Sequence, residues 1–269
     1  GVYKIQGWAQ SVDTGRQFED SVVTMRKPEW SIPATVKALY TTRSGGASQA
    51  PFDSFNLAEH VGDDFDQVLR NREILLSQSL PSVPCWLQQT HSTKVVTLES
   101  ESNRSADGAI TRQVDKVAVI MTADCLPILL CNRSGTEVAA VHAGWRGLLD
   151  GIVQTTIATM QSPANELFAW IGPAISQLKF EVGDEVRQAF IDKYVEKQDA
   201  IHRRFIINRP GHWLCDLPGL AGDSLKHLGV ATVTQSNLCS YSNEADFFSY
   251  RRQAITGRMA SLIWIPSDA

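Results

Sequence analysis

The chain is short of several things that a protein of 269 residues can have, and each shortage narrows the field. No apolar run approaches the ~20 residues that cross a bilayer. The longest, near Val117–Cys131, is broken by Asp124, so no membrane partner is expected. Basic charge is not in excess: 25 Lys and Arg against 29 Asp and Glu leave a net charge of -4, without a long basic block. Binding to nucleic acid, which needs a clustered cationic face, is not expected. Cysteines are few and odd in number (Cys85, Cys125, Cys131, Cys215 and Cys239), with no CxxC pair. That pattern argues against a disulfide framework and for a reducing compartment with thiols free for function. No basic stretch followed by an apolar one opens the chain, so a cytoplasmic location is expected.

What is present reads as one α/β-type domain. Residues 1–24 are polar and weakly periodic, and Met25 then precedes RKPEWSIPATVKALYTT, which leads into a first strand. We expect 1–24 to be an upstream extension or an appended segment, and 25–269 to form a single catalytic domain. Strands are predicted at 36–42, 85–89, 94–98, 117–121, 128–131, 137–142, 168–172, 230–234 and 260–265. The run 117–121 is apolar throughout, as a strand buried on both faces should be. A loop rich in Gly, Ser, Pro and Asp fills 43–62. A helix over 63–78 is predicted, capped by Asp63 or Asp64, with Val68, Leu69, Leu75 and Leu76 on one face. Further helices are predicted over 148–160, 183–190 and 217–227, the last capped by Asp216. No internal repeat is visible.

Three residues with chemical capability sit at predicted strand ends: His91 in QQTHSTKVV, Cys125 in MTADCLPILLCN and His142 in VAAVHAGWRG. The segment Asn132-Arg133-Ser134-Gly135 has hairpin turn chemistry. A turn centred between Arg133 and Ser134 sets Cys125 directly opposite His142, with Cβ atoms ~4.5–5.5 Å apart. Pro127 makes a local irregularity in that register plausible. Three readings of the trio stand side by side. A thiolate and two imidazoles are preferred zinc ligands, and three of them leave a fourth position open. Alternatively, Cys125 is a nucleophile activated by His142. The plainest reading makes Cys125 a buried small hydrophobe and the histidines ordinary strand-end residues. Nearby, Arg146 in HAGWRG and Arg43 in RSGG suit an anion as well as they suit surface ion pairs. Asp124 and Asp107 are candidates for orienting a histidine, for proton transfer or for capping a turn. The stretches Asn56–His60 and Phe247–Tyr250 are our choices for a wall facing a flat ligand; Phe248, Asn56 and His60 represent them.

Together, TTRSGG, FNLAEHVGD, QTHSTKVV, ADGAIT, VAVIMTADCLPILLCN, VAAVHAGWRG, IGPAI, FEVGDEV and FFSYRR resemble the YfiH family, also called the laccase-domain or multicopper polyphenol oxidase family. The resemblance spans about 27–269 in order. It implies a layered α/β (α+β) sandwich of mixed β-sheet with flanking helices, related to the cysteine-dependent toxin deamidase fold. It also implies a zinc site of His91, Cys125 and His142, and phosphorolysis of adenosine, inosine and methylthioadenosine, with adenosine deamination as a side activity. On that reading the partners are a purine nucleoside and phosphate. Arg43 and Arg146 would hold phosphate, Asp124 would serve proton transfer, and the protein would work as a monomer. Peptidoglycan precursor editing by a Cys–His thiol hydrolase or amidase is the alternative, and a non-catalytic nucleoside- or muropeptide-binding module is a third. Copper oxidase chemistry is disfavoured. The chain has six histidines (60, 91, 142, 202, 212, 227) and no HxH pair, so one copper is feasible but a cluster of several would lack ligands.

Overall fold

The computed structural model describes residues 25–267, and the expectation for 1–24 lies outside them. Two sheets form the centre. A four-stranded sheet has the order β1-β2-β13-β5, from Met25–Arg26 (β1), Lys37–Thr41 (β2), Ala118–Thr122 (β5) and Met259–Trp264 (β13). A six-stranded sheet has the order β12-β8-β6-β7-β4-β3. Its strands are Val95–Thr97 (β3), Gly108–Thr111 (β4), Leu126–Asn132 (β6), Val138–Ala143 (β7), Leu167–Ile171 (β8) and Thr232–Gln235 (β12). Its outer pairs, β3·β4 and β12·β8, are parallel and its inner pairs antiparallel, so the sheet is mixed.

The alternation of side chains along each strand builds the layers. On β6, Leu129 and Cys131 face the four-stranded sheet and, with Ala140 and Trp170 of their own sheet, pack toward Ile120 and Ile263 of the other. Leu126, Ile128 and Leu130 face the other way, onto the helices α3 (Ile152–Thr159), α4 (Asp184–Lys193) and α6 (Leu217–His227). The outer face of the four-stranded sheet, with Val119, Met121 and Leu262, is covered by Phe55 and Leu57 of the 43–62 loop and by Leu75 of helix α1 (Phe65–Ser79). Every residue of β5, β6 and β7 is buried, which explains the unbroken apolar runs in their sequences. A small sheet, β10-β11-β9, from Glu181–Gly183 (β9), Phe205–Arg209 (β10) and His212–Cys215 (β11), flanks the helical layer.

Several sequence expectations change. Helix α1 is capped by Asp64, whose side chain accepts from the Gln67 N–H. Its buried stripe is Val68, Asn71 and Leu75, while Leu69 is exposed. The expected helix over 148–160 is two helices, α2 (Trp145–Asp150) and α3. Gly151 at φ 109 lies in the left-handed region between them and ends the first. The expected strand at 85–89 shrinks to isolated bridges at Cys85 and Gln88. The loop 43–62 is ordered by Asn71: its side chain donates to Ser48 Oγ and to the carbonyls of Ser54 and Asn56, and accepts from the Ala47 N–H. No helix among the described residues is long and apolar enough to cross a membrane.

Candidate metal centre and cavity

The β6–β7 hairpin delivers two of the three candidate ligands, in a register that differs from the expected one. Asn132 caps the turn: its Oδ1 accepts from the Thr136 and Glu137 N–H groups, and its carbonyl accepts from the Gly135 N–H. Gly135 sits at φ 68. The loop is therefore centred between Ser134 and Gly135, and His142 faces Pro127 while Leu126 faces Ala143. One further step puts Cys125 opposite Gly144. The displacement of two positions keeps the face of each side chain, since only an odd slip inverts it. Cys125 and His142 thus still converge, on a diagonal. Gly144 is needed there: a Cβ would lie 3.0 Å from both Cys125 Sγ and His91 Cδ2.

His91 arrives from the loop ahead of β3, at φ 60 in the left-handed region. One fully buried carboxylate fixes it. The backbone N–H groups of Thr90, His91 and Ser92 all donate to Asp107, at 3.2, 3.0 and 2.7 Å. The same carboxylate accepts from His142 Nδ1 at 2.8 Å. An ionised carboxylate only accepts, so the proton is on Nδ1 and Nε2 is left as the ligand atom. Asp107, proposed from sequence as a histidine orienter or a turn cap, does both.

The three ligand atoms lie within 4.8 Å of one another, with Cys125 Sγ 3.8 Å from His91 Nε2. The two imidazoles meet edge to face with centroids 4.8 Å apart. Among the described residues this is the one cluster of three or more His, Cys, Asp or Glu able to share an ion. Tetrahedral zinc with ligand bonds of about 2.0–2.3 Å would need its donors roughly 3.3–3.8 Å apart, so the group fits such an ion with little movement. Charge fits too. Burial would raise the Cys125 thiol, but hydrogen bonds and positive charge from His142 and His91 outweigh it and hold it down at about 6. Burial would lower His142, but Asp107 and Cys125 push it up to about 9, so without an ion Nε2 also carries a proton, which a bound ion would displace. For Asp107, the bonds from His142 and Ser92 overcome burial and hold it well below the usual carboxylate range.

The trio forms one wall of a cavity of about 400 Å³. Met121, Ile175, Phe180 and Leu217 give it apolar surface, and Trp145 and Tyr250 add aromatic faces. Of the other residues expected from sequence, Asp124, Arg146 and His60 line the cavity. Asp124, at φ 94, accepts from Ser240 Oγ at 2.7 Å and from the Arg251 N–H at 2.6 Å, so it also ties down the segment that carries Tyr250. Arg146 is exposed and lies over Trp145. Arg43, Asn56 and Phe248 stand outside the lining. Arg43 is committed to Asp53 and lies over the Phe248 ring. Phe248 is fully buried, and Asn56 is spent on Ala58, Asp63 and the Arg258 N–H. Gln89, Phe180 and Arg251 lie in segments already singled out (QTHSTKVV, FEVGDEV and FFSYRR) but were given no role in the site, and Arg258 lies in a segment with no local signature.

Comparison with known proteins gives consistent results. Residues 37–266 match the family described as multi-copper polyphenol oxidoreductase laccase. A purine nucleoside phosphorylase of Pseudomonas aeruginosa is 46% identical over 239 residues, covering 88% of this chain and 97% of that protein. The purine nucleoside phosphorylase YfiH of Escherichia coli is 43% identical over 241 residues, with the same coverage. A crystal structure of a Neisseria meningitidis protein superposes with a TM-score of 0.85 at 45% identity, covering 90% of this chain and 99% of that one. The chain belongs to the multi-copper polyphenol oxidoreductase laccase family, the family of YfiH.

Proposed function

We propose that the protein is a zinc-dependent purine nucleoside phosphorylase, acting on adenosine, inosine and methylthioadenosine, with adenosine deamination as a side activity. The observation that carries this reading is the convergence of His91, Cys125 and His142 on one wall of a cavity large enough for a small ligand. The names of the curated relatives support it, and five free thiols fit a reducing cytoplasm. A phosphate oxygen bonds to C1′ as the C1′–N9 bond breaks. The bonding pair leaves with the purine, which takes up a proton, and the products are the free base and a pentose 1-phosphate. Positive charge builds on the ribose in between, as in glycoside cleavage. His91, Cys125 and His142 would hold the zinc ion, which would supply Lewis-acid polarisation. Asp107 keeps His142 in the tautomer that presents Nε2 to the cavity. Phe180, Trp145 and Tyr250 offer faces for the flat base and exclude water. Arg146 meets phosphate at the exposed side of the lining, and Asp124 is placed for proton transfer.

One observation favours a second reading. The lowered Cys125 thiol beside His142 is also what a thiol hydrolase or amidase needs, as in the toxin deamidases and in peptidoglycan precursor editing. A single copper in the same trio remains a third, weaker alternative, because the converging donors suffice for one ion only. The test is release of ribose 1-phosphate from adenosine and phosphate. Wild type should produce it and Cys125→Ala should fall roughly 10²–10³-fold, the size of removing one group that acts in the transition state; equal rates would take Cys125 out of the mechanism. Activity that survives complete removal of zinc, yet is lost to iodoacetamide, would favour the thiol hydrolase.

A further inference from the structure

Phosphorolysis brings one anion into a cavity whose other substrate, a nucleoside, is neutral. Three arginines line that cavity. Arg146 is exposed, and Arg251 sends Nη1 to the Glu181 carbonyl at 2.8 Å. Arg258 is the half-buried one, sitting in the wall itself. Its Nη1 donates to the Thr256 and Gly257 carbonyls, both at 3.0 Å. Nη2 and Nε have no hydrogen-bond acceptor among the described residues, and no carboxylate of that set forms an ion pair with Arg258, although charge at Cys125 and Asp124 reaches it and the guanidinium lies over the Tyr250 ring at 6.0 Å. The one carboxylate lining the cavity, Asp124, is already taken by Ser240 and the Arg251 N–H. A partly desolvated guanidinium with an open fork is built to receive an oxyanion by two parallel bonds.

The support behind Arg258 is more elaborate than a surface arginine needs. Its backbone N–H donates to Asn56 Oδ1 at 3.0 Å, and Asn56 is fully buried. Gly257 lies so close to Phe248 that a Cβ would stand 2.7 Å from Phe248 Cζ and 2.9 Å from Asn56 Cβ. Arg43 covers the Phe248 ring at 4.8 Å. Asn56 and Arg43, remote in sequence, together with the nearby Phe248 therefore brace Gly257 and Arg258 from outside the cavity.

We propose that Arg258 is the phosphate-binding residue of the cavity, with Asn56, Phe248 and Gly257 as its positioning residues. The assignment rests on the phosphorylase reading for the role of phosphate, but not for the existence of an anion site. The experiment uses the zinc-loaded protein and inorganic phosphate, with two readouts: steady-state KM for phosphate and for nucleoside, and the rise in unfolding temperature that phosphate produces. Arg258→Met should raise the phosphate KM roughly ten- to hundredfold, the value of a charge-assisted bond, and abolish the thermal rise while leaving the nucleoside KM within about twofold. Arg258→Lys, which keeps the charge and serves if the Met variant folds poorly, should fall between. Gly257→Ala should raise the phosphate KM with the guanidinium intact. An unchanged phosphate KM and an unchanged thermal rise in the Arg258 variants would overturn the proposal. Were wild type to release no pentose 1-phosphate, the phosphorylase reading alone would fall. The thermal readout would then decide the site: stabilisation by phosphate that Arg258→Met removes upholds it, and no stabilisation of wild type overturns it.

Discussion

The two walls of the cavity are built on opposite plans. On the metal-binding wall, three short side chains come from three places in the chain, and a single buried carboxylate satisfies the backbone of one and the ring of another. Charge is balanced inside the protein: Asp107 answers His142, and His142 answers Cys125. Among the arginines that line the same cavity the side chains are long, and what fixes them is not a paired carboxylate. Arg146 rests on Trp145, Arg251 on Phe180, and Arg258 on two backbone carbonyls. Among the described residues none of the three forms an ion pair with a carboxylate, although charge at Cys125 and Asp124 reaches Arg258. One wall is complete apart from a cation, and the other is complete apart from an anion.

After Cys125→Ala, the largest effect should come from the residue that links the metal-binding wall together. Asp107→Asn keeps the shape but weakens the hold on His142 and on the 90–92 turn. Zinc affinity should fall roughly 10–100-fold, as for other partners of ligating histidines, when measured by competition with a chelator. The same variant tests the charge relay. In metal-free wild type, alkylation of Cys125 should rise with pH around 6, because the thiolate is the nucleophile. Removing the carboxylate removes a cause of the raised His142, so the Cys125 midpoint should move up toward the ordinary value of about 8.5. Cys131, on the strand that Cys125 precedes, should stay unlabelled throughout, since burial pushes its thiol up to about 12. An unmoved midpoint in Asp107→Asn would show that the two walls differ less than the geometry says. Gly144→Ala comes next. A methyl 3.0 Å from Sγ and from the His91 ring costs about 1–3 kcal/mol if it must be accommodated, which is roughly five- to hundredfold in metal affinity. Unchanged zinc binding would mean that the His91 loop is free to shift.

The difference between the walls also decides what could be read from sequence. Cys and His are chemically distinctive, and Cys125 and His142 lie at or in the long apolar strands β6 and β7. Their convergence survived a wrong register because the cap at Asn132 moved the pairing by two positions, not one. The central strands were legible for the same reason: burial on both faces leaves an uninterrupted apolar signature. Arg258 has no such mark. It becomes a site residue through Asn56, 202 positions earlier in the chain, and through the contact of Gly257 with Phe248. The segments TTRSGG and FNLAEH did signal the site, mainly as its buttress: Arg43 and Asn56 stand outside the cavity lining, and His60 alone of the residues chosen there reaches it. The small sheet β9–β11 escaped notice because Ile206 and Ile207 are exposed, which blurs the alternation that marks a strand.

The smallest effect should fall on Arg146. Its guanidinium lies over the Trp145 ring at 4.3 Å, but the side chain is exposed, so water and salt screen its charge. Rim charges of this kind change encounter rates more than bound-state affinity. Arg146→Gln should therefore lower kcat/KM for phosphate only about two- to fivefold at low salt, and the deficit should shrink as ionic strength rises. Arg258→Met should show little such relief, because its charge acts from within the wall. Measuring both variants across a salt series sets them on one scale. If Arg146→Gln costs as much as Arg258→Met and resists salt equally, phosphate sits at the exposed side of the lining, and the division of labour between an inner and an outer arginine is wrong.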